Sequence, residues 1–165
     1  MASKNKHQSA TPATQYLRQK KIPFTEHSYE YIDHGGAQEA ARQLGLSLQQ
    51  TAKTLVMEDE LGKPLVVIMP GDKEVSTKNL ARQIGVKKIT PCKPEQAQRH
   101  SGYLVGGTSP FATRKVMPVY LEQELLDHPC IYINGGRRGY LLGLSPQVFQ
   151  QLLPLSVVQV GIGEP

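Results

Sequence analysis

Cysteine is scarce in this sequence, and the two that occur, Cys92 and Cys130, stand in unrelated contexts. The sequence has no CxxC pair and no histidine cluster near either cysteine, although zinc sites depend on such groupings. Neither a disulfide framework nor a zinc site is therefore expected. Two ordinary thiols in a reducing compartment are the simplest interpretation.

Long apolar runs are also missing. No stretch approaches the roughly 20 residues that a membrane-spanning helix needs. The polar start, "MASKNKHQSA", lacks the apolar centre of a secretory signal. We therefore expect a cytoplasmic protein, with residues 1–10 as a flexible tail and residues 11–165 as a single domain. A chain of this length buries about 70% of its unfolded surface and needs no covalent cross-links.

The charge is unbalanced. Lys and Arg total 19 against 14 Asp and Glu, a formal net charge of +5, and the isoelectric point is near 9.2. This excess favours an anionic partner, with RNA or a nucleotide as the first choice. The alternative is a generally basic surface with no such partner, and charge alone does not separate the two.

Helical and extended patterns follow one another without regular βαβ alternation. Helices are predicted at "TPATQYLRQKKIP", "GAQEAARQLGL", "SLQQTAK", "STKNLARQIG", "KPEQAQRH" and "SPQVFQQLL". Strands are predicted at "FTEHSYEY", "TLVMED", "LVVIMP", "KKIT", "GYLVGG", "KVMPVYLE", "CIYING", "GYLLGL" and "SVVQVGI". The run "LVVIMP" is apolar on both faces and is expected at the centre of a sheet. The pattern predicts a mixed α/β (α+β) domain around a curved sheet.

Familiar catalytic signatures are absent. The sequence has no GxxxxGK[ST] phosphate loop, no GxGxxG, no HExxH and no GxSxG. Its five histidines show no metal-ligand spacing, and no Ser-His-Asp arrangement can be recognised. A protein nucleophile is therefore not expected.

Two glycine pairs remain, in "LVGGTSPFATRK" and in "YINGGRRGY". Glycine lets a ligand approach the backbone closely, and the amides of Gly106, Gly107 and Thr108 form a row of donors suited to an oxyanion or a carbonyl. The alternative is a pair of tight turns between strands. Both loops are followed by basic residues, Arg114 with Lys115 and Arg137 with Arg138, which are either solvated or contact phosphates.

Lys53, in "QQTAKTLVM", is predicted at a helix-to-strand junction next to Thr54. A lysine there could reach into a pocket and bind an anion as a point charge. The alternative is a solvated lysine that interacts with the helix dipole. In "PGDKEV", Asp72 and Lys73 could line the rim of a site, although a structural role is expected first.

In this order, these pieces resemble the YbaK-type aminoacyl-tRNA deacylases, a family related to the editing domain inserted in bacterial prolyl-tRNA synthetases. The resemblance rests on "TPATQYLRQKKIPFTEHSYE", "AARQLGLSLQQTAKTLVM", "GYLVGGTSP" and "IYINGGRRG", and covers about Thr11 to Val160. It implies a barrel-like mixed sheet surrounded by helices. It also implies hydrolysis of the ester that joins a wrong amino acid to tRNA, with Cys-tRNA(Pro), or another small amino acid on tRNA(Pro), as the expected substrate.

The resemblance further implies residue roles. The family's functional lysine corresponds to Lys53, its neighbouring threonine to Thr54 and its pocket tyrosine to Tyr29. Its glycine loop corresponds to the stretch Gly106, Gly107, Thr108, Ser109 and Pro110. We expect Lys53, Gly106 and Gly107 to be catalytic. Substrate binding is expected of Tyr29, Thr54, Thr108, Ser109, Asn134, Gly135 and Gly136, and RNA contact of Arg114, Lys115, Arg137 and Arg138.

No metal or organic cofactor is expected, and prolyl-tRNA synthetase or an elongation factor is a candidate partner. The chain departs from the cysteine-removing branch of the family, which typically reads "SPLGQKK" where this chain has "SPFATRK". That branch also typically has Ser at the position of Asn134 and Asp at the position of Leu141. Three other functions remain open: a non-catalytic aminoacyl-tRNA or nucleotide binding module, an interaction subunit of a synthetase complex, and a small-ester hydrolase.

Overall fold

The computed structural model describes residues 10–163, so the predicted tail lies outside the described residues apart from Ala10. Five α-helices and two short 3₁₀ segments occur in the described range. The helices are α1 Pro12–Gln19, α2 Gly36–Leu44, α3 Thr77–Ile84, α4 Pro94–Ser101 and α5 Gln147–Leu152, and the 3₁₀ segments are Leu48–Gln50 and Gln123–Asp127. None of the described helices is long and apolar enough to cross a membrane.

Ten short strands are described: β1 Thr25–Ser28, β2 Ala52–Asp59, β3 Pro64–Pro70, β4 Lys73–Val75, β5 Ile89–Pro91, β6 Val119–Glu122, β7 Ile131–Asn134, β8 Tyr140–Leu144, β9 Leu155–Val158 and β10 Gly161–Gly163. They form a five-stranded sheet of order β5-β2-β3-β6-β9, a three-stranded sheet β1-β8-β7 and the pair β4-β10. β3 is antiparallel to β2 and parallel to β6, so the larger sheet is mixed.

Helix ends follow the signals in the sequence. Thr11 caps α1, because its Oγ1 accepts the Thr14 N–H at 3.1 Å while the Thr14 hydroxyl oxygen accepts the Thr11 N–H at 2.8 Å. Ser76 caps α3 with a single bond, its Oγ accepting the Asn79 N–H at 3.2 Å. Gly85 ends α3 in the left-handed conformation that glycine adopts readily.

The central position predicted for "LVVIMP" is confirmed. Every residue of β3 is buried, and the strand has β2 on one side and β6 on the other. Because side chains alternate along a strand, β3 serves two apolar clusters. Val66 and Ile68 pack in one cluster with Leu17 of α1 and Phe149 of α5. Val67 and Met69 pack in the other, which also contains Leu80 of α3.

The two larger sheets are joined at one point. Thr51, just before β2, forms an isolated parallel bridge with Tyr132 of β7. β5 pairs only with the far half of β2, from Met57 to Asp59, so the near half is available to β7. The described strands form separate mixed and antiparallel sheets and no closed barrel. The barrel-like closure implied by the resemblance is therefore not observed.

Several predicted elements differ from the structure. The stretch "GYLVGG", predicted as a strand, is a bend and turn between α4 and β6. Its Leu104 carbonyl accepts a hydrogen bond from within the turn, and its Val105 and Gly106 carbonyls accept from the second glycine-containing segment instead of from a neighbouring strand. "SLQQTAK" forms only the 3₁₀ turn Leu48–Gln50, and "KVMPVYLE" is extended only in its second half. The pairing of β4 with β10 was not predicted, since each is only three residues long.

Candidate functional site

The two glycine-containing segments are in direct contact through Gly106 and Asn134, which lie 28 positions apart in the chain. We call residues 104–110 the first glycine loop and residues 134–139 the second. Asn134, at the end of β7, donates a hydrogen bond from Nδ2 to the Gly106 carbonyl at 3.1 Å. The Asn134 Oδ1 accepts the Gly136 N–H at 2.7 Å. One side chain therefore fixes the second loop and ties it to the first.

Arg138 makes a second connection between the loops. Its Nε donates to the Val105 carbonyl at 2.9 Å, and its guanidinium lies 4.9 Å from the centroid of the Tyr31 ring. The sequence did not identify Tyr31, whose only signal is its spacing of two from Tyr29. The ring also approaches the first loop, since a Cβ on Gly106 would lie 2.9 Å from the Tyr31 hydroxyl oxygen.

Gly107 is where the two backbones approach most closely. A Cβ at this position would lie 2.8 Å from the carbonyl carbon of Arg137 and 2.8 Å from the backbone nitrogen of Arg138. Real Cβ atoms do not approach other atoms so closely, so the contact between the loops requires glycine here. The Gly107 amide donates to the Leu104 carbonyl at 2.8 Å and closes a turn.

The Gly106 and Thr108 amides differ from that of Gly107, because neither has an acceptor within residues 10–163. Gly106 has a φ of +92°, a backbone conformation that residues with a side chain rarely adopt. Thr108 is buried, and its hydroxyl donates to the Leu104 carbonyl at 3.4 Å. Of the three amides predicted as ligand donors, these two keep an uncommitted N–H.

The end of the first glycine loop is held by buried hydrogen bonds. Ser109 is fully buried, and its Oγ accepts the Phe111 N–H at 3.1 Å. The Tyr103 hydroxyl donates to the Phe111 carbonyl at 2.6 Å, and burial raises the pKa of Tyr103 to about 12. Ser109 therefore has a structural role in addition to its predicted role in substrate binding.

The second glycine loop is anchored to the start of α1. The Thr11 hydroxyl, which caps the helix, also donates to the Gly135 carbonyl at 2.6 Å. Gly135 itself packs against side chains, since a Cβ there would lie 2.7 Å from the Tyr140 ring. Helix α1, which is far from the second glycine loop in the sequence, therefore helps to hold that loop in place.

Lys53 is the second residue of β2 and pairs with Met69 of β3, close to the 3₁₀ segment that ends at Gln50, so it lies near the predicted helix-to-strand junction. It is half-buried and forms no ion pair within the part of the chain that the structure describes. From the parallel bridge between Thr51 and Tyr132, Lys53 and Asn134 each lie two residues further on, on the same face of their strands. This register places the backbone of Lys53 near the end of β7, where the second glycine loop begins, while no described hydrogen bond or ion pair joins its side chain to either loop.

Thr54 and Tyr29 have different surroundings. The Thr54 hydroxyl oxygen is buried, and no described group forms a hydrogen bond with it. Tyr29 follows β1, and its N–H donates to the Gly139 carbonyl at 3.0 Å, so it lies against the second glycine loop. Burial raises the pKa of Tyr29.

The four predicted RNA-contacting residues fall into two groups. Arg137 lies over the Tyr140 ring, 4.3 Å from its centroid, and Arg138 is held by Tyr31 and Val105, so neither is simply solvated. Arg114 and Lys115 are exposed, and their backbone N–H groups donate to the carbonyls of the last residues of α4.

A shallow cleft of about 320 Å³ adjoins the first glycine loop at Tyr103 and Leu104. Arg99 and Arg114 contribute positive charge to its lining, and Glu95 contributes one negative charge. Burial, with Lys115 and Arg99 close by, lowers the pKa of His100, which follows Arg99 in α4. Sequence reasoning missed Arg99, because nothing in the helix pattern distinguishes it from any solvated arginine.

Lys73 is engaged elsewhere. Its Nζ forms an ion pair with Glu124 at 2.8 Å, which raises the pKa of Lys73. No described side chain of either glycine loop bonds to Lys73 or to Asp72. Within residues 10–163, no three His, Cys, Asp or Glu side chains are grouped so that they could hold a metal ion.

Comparison with known proteins identifies the family. Residues 34–152 match the aminoacyl-tRNA editing domain. The chain belongs to the aminoacyl-tRNA editing domain family. EbsC of Enterococcus faecalis, described as a Cys-tRNA(Pro)/Cys-tRNA(Cys) deacylase, is 32% identical over 91% of this chain and 92% of its own length. Members of this family are aminoacyl-tRNA deacylases, a class of hydrolase, and the resemblance found in the sequence is confirmed.

A proline–tRNA ligase of Thermodesulfovibrio yellowstonii is 30% identical over 77% of this chain, which corresponds to 22% of the ligase. The match therefore covers one segment of a much larger synthetase. Among solved structures, a hypothetical protein designated APE2540 superimposes with a TM-score of 0.83 at 24% identity, over 92% of this chain and 100% of that one. A protein described as a trans-editing enzyme for prolyl-tRNA synthetase gives a TM-score of 0.80 at 23% identity, over 94% of this chain and 98% of that one. These two structures share the editing-domain fold.

Proposed function

We propose that this editing-domain protein acts in trans on mischarged tRNA(Pro) and hydrolyses the ester that carries cysteine or another small amino acid. The observation that carries the proposal is the pair of uncommitted amides of Gly106 and Thr108, in a loop held from behind by the second glycine loop. The name of the Enterococcus relative supports cysteine as the first amino acid to test. The match to a synthetase segment supports tRNA(Pro) as the first tRNA.

The proposed chemistry is water attack on an activated ester. The water oxygen adds to the aminoacyl carbonyl carbon, and the developing oxyanion accepts hydrogen bonds from the Gly106 and Thr108 amides. The ester C–O bond then breaks, the ribose hydroxyl leaves with a proton, and free amino acid and tRNA result. Removal of one donor from such a site typically lowers kcat by about 10²–10³-fold. With a cysteine substrate, the thiol of the substrate itself is the alternative nucleophile.

Lys53 is assigned a positioning role on the substrate. As a half-buried cation without an ion pair in the described chain, it is free to bind the 3′-terminal adenosine phosphate or the region of the substrate amine. Holding an ester in the reactive geometry accelerates its hydrolysis without any covalent step on the protein. Gly107, Asn134, Gly135 and Gly136 then form the backing of the site, with Tyr29 beside it. Thr54 follows Lys53 directly in β2, so its side chain lies on the opposite face of the strand, with Ala52 and Val56.

The proposed RNA surface continues from the first glycine loop into the cleft beside α4. A tRNA end whose ester lies at Gly106 would pass Leu104 and present its preceding phosphates to Arg99, Arg114 and Lys115. Arginine and lysine contacts of this kind supply the sequence-independent part of RNA affinity.

A deacylation panel tests the proposal. We would charge tRNA(Pro) separately with cysteine, alanine, serine and proline and measure ester loss with wild-type protein, with Lys53→Ala and with Lys63→Ala. Lys63 lies in the exposed β2–β3 turn and serves as a matched control. We expect one mischarged species to be hydrolysed selectively, with activity lost in Lys53→Ala and kept in Lys63→Ala. Hydrolysis of none of the four, or equal rates in wild type and Lys53→Ala, would contradict the proposal.

A further inference from the structure

The first glycine loop is held by two side chains that bind its carbonyl oxygens. Arg138 binds the Val105 oxygen at 2.9 Å, and Asn134 binds the Gly106 oxygen at 3.1 Å. The two carbonyls belong to consecutive peptide groups. Binding of these loop carbonyls is distinct from the RNA contact predicted for Arg138 and from the substrate contact predicted for Asn134.

Because of peptide geometry, a contact that fixes a carbonyl oxygen also fixes the direction of the N–H group in the same peptide unit. A trans peptide group is planar, and its N–H points opposite to its C=O. The Val105 oxygen and the Gly106 N–H share one peptide group, so Arg138, by fixing the oxygen, directs the uncommitted Gly106 N–H away from its own guanidinium. The next group contains the Gly106 oxygen and the Gly107 N–H, so Asn134 fixes the group that closes the turn onto Leu104.

Both side chains are themselves fixed. The Asn134 amide has only one workable orientation, because the Gly106 oxygen can only accept a hydrogen bond and the Gly136 N–H can only donate one. The Arg138 guanidinium rests on the Tyr31 ring, which restricts its rotation. At Gly107 the first loop lies so close to the Arg137–Arg138 backbone that no Cβ would fit between them.

We infer that Arg138 and Asn134 are positioning residues, which set the direction of the Gly106 N–H and hold the first glycine loop in its reactive conformation. This inference rests on the proposed function for its catalytic consequence. Neither residue needs to contact the reacting atoms. Each affects the rate of the chemical step through the peptide group that it holds.

The first arm of the test separates positioning from RNA contact. Arg138→Lys keeps the positive charge but replaces the planar Nε–H donor and the stacked guanidinium. We expect the single-turnover rate constant to fall about 10-fold or more, while the enzyme concentration at half-saturation and its salt dependence stay unchanged. Arg82→Lys, on the exposed surface of α3, is the control and should keep both values. An unchanged rate constant with altered half-saturation or salt dependence would overturn the role of Arg138.

The second arm uses pH. Asn134→Asp has the same shape and keeps the acceptor for the Gly136 N–H, but its carboxylate faces the Gly106 oxygen with no proton to donate. Protonation at low pH restores the donor. The ratio of variant to wild-type rate constants should therefore be low at pH 7.5 and rise as the pH falls toward the ordinary Asp pKa of about 4. Asn79→Asp, on the exposed first turn of α3, should give a ratio near one throughout. A ratio for Asn134→Asp that is independent of pH would overturn the role of Asn134.

A measurement that needs no activity distinguishes the two proposals. In protein labelled with ¹⁵N-glycine, the Gly106 and Gly107 amide signals should shift in Arg138→Lys and in Asn134→Asp, and in the latter the shift should reverse as the pH falls. If wild-type protein hydrolyses no charged tRNA but these signals shift, the proposed function fails while the positioning contacts stand. If the signals of both glycines match those of wild type in both variants, the inference is wrong whatever the activity.

Discussion

At the scale of single residues, the site depends on glycines that differ in what surrounds them. Gly106 needs its positive φ, whereas Gly107 needs space against backbone atoms. The sequence predicted that the glycine pair lets a ligand approach the backbone, whereas the close approach observed at Gly107 is that of the Arg137–Arg138 backbone. The sequence did not indicate this contact, because Gly106 and Asn134 lie 28 positions apart and no local pattern records it.

Gly107→Ala tests the loop contact. The new Cβ must displace the Arg137–Arg138 backbone, and overpacking of this kind costs about 1–3 kcal/mol of unfolding free energy. We expect that loss in urea unfolding, together with a clear fall in the deacylation rate. Gly163→Ala is the matched control, because no atom lies within 4 Å of a Cβ there and its φ needs no glycine. Equal stability of the two variants would show that the loops separate without cost.

At the scale of elements, capped helices and apolar strands were predictable and irregular segments were not. Ser76 with Gly85 bounds α3 as expected, and the all-apolar β3 is the central strand. The stretch Gly102–Gly107 was predicted as a strand because it contains Tyr103, Leu104 and Val105, all typical of strands. Its Gly106 and Val105 carbonyls accept tertiary hydrogen bonds from Asn134 and Arg138, so they are not available for pairing with a strand.

The start of α1 links a helix cap to the site. Thr11→Val removes the buried bonds to the Thr14 N–H and to the Gly135 carbonyl, which we expect to cost about 2–3 kcal/mol and to lower the deacylation rate. Ser76→Ala removes a cap bond alone and should cost about 1 kcal/mol without changing the rate. Urea unfolding and single-turnover assays measure both effects. A Thr11→Val protein with wild-type activity would show that the helix does not support the second loop.

At the scale of the whole molecule, the sequence gives the net charge of +5 but not where the basic side chains lie on the folded surface. Folding places Arg137 and Arg138 on aromatic rings and leaves Arg99 and Arg114 in the lining of the cleft beside α4, with Lys115 exposed next to Arg114. The sequence predicted a curved, barrel-like sheet, but the described strands form separate sheets that do not close, and the Thr51–Tyr132 bridge joins the two larger ones. A junction made by one pair of residues is too short to leave a periodic pattern in the sequence, so it could not be predicted.

Salt dependence tests the proposed charge distribution. Each phosphate contact with a single strand contributes about 0.7 to the slope of log affinity against log salt concentration. Arg99→Gln and Arg114→Gln should each reduce the slope for charged tRNA by about that amount and weaken binding at low salt, with little change in the single-turnover rate constant. Arg82→Gln on α3 should change neither quantity. Identical slopes for all three variants and wild type would place the RNA elsewhere.

The surroundings of the glycines also bear on how the family can diverge. A larger residue at position 135 meets the Tyr140 and Leu142 side chains, so a mutation that shortens one of them could compensate for it, and the positions can drift together. A larger residue at position 107 meets main-chain atoms of Arg137 and Arg138, which every amino acid carries. No second-site mutation can shorten a backbone. Gly135 can therefore be replaced in evolution if a second mutation shortens a neighbouring side chain. Replacement of Gly107 requires the contact between the two loops to be lost.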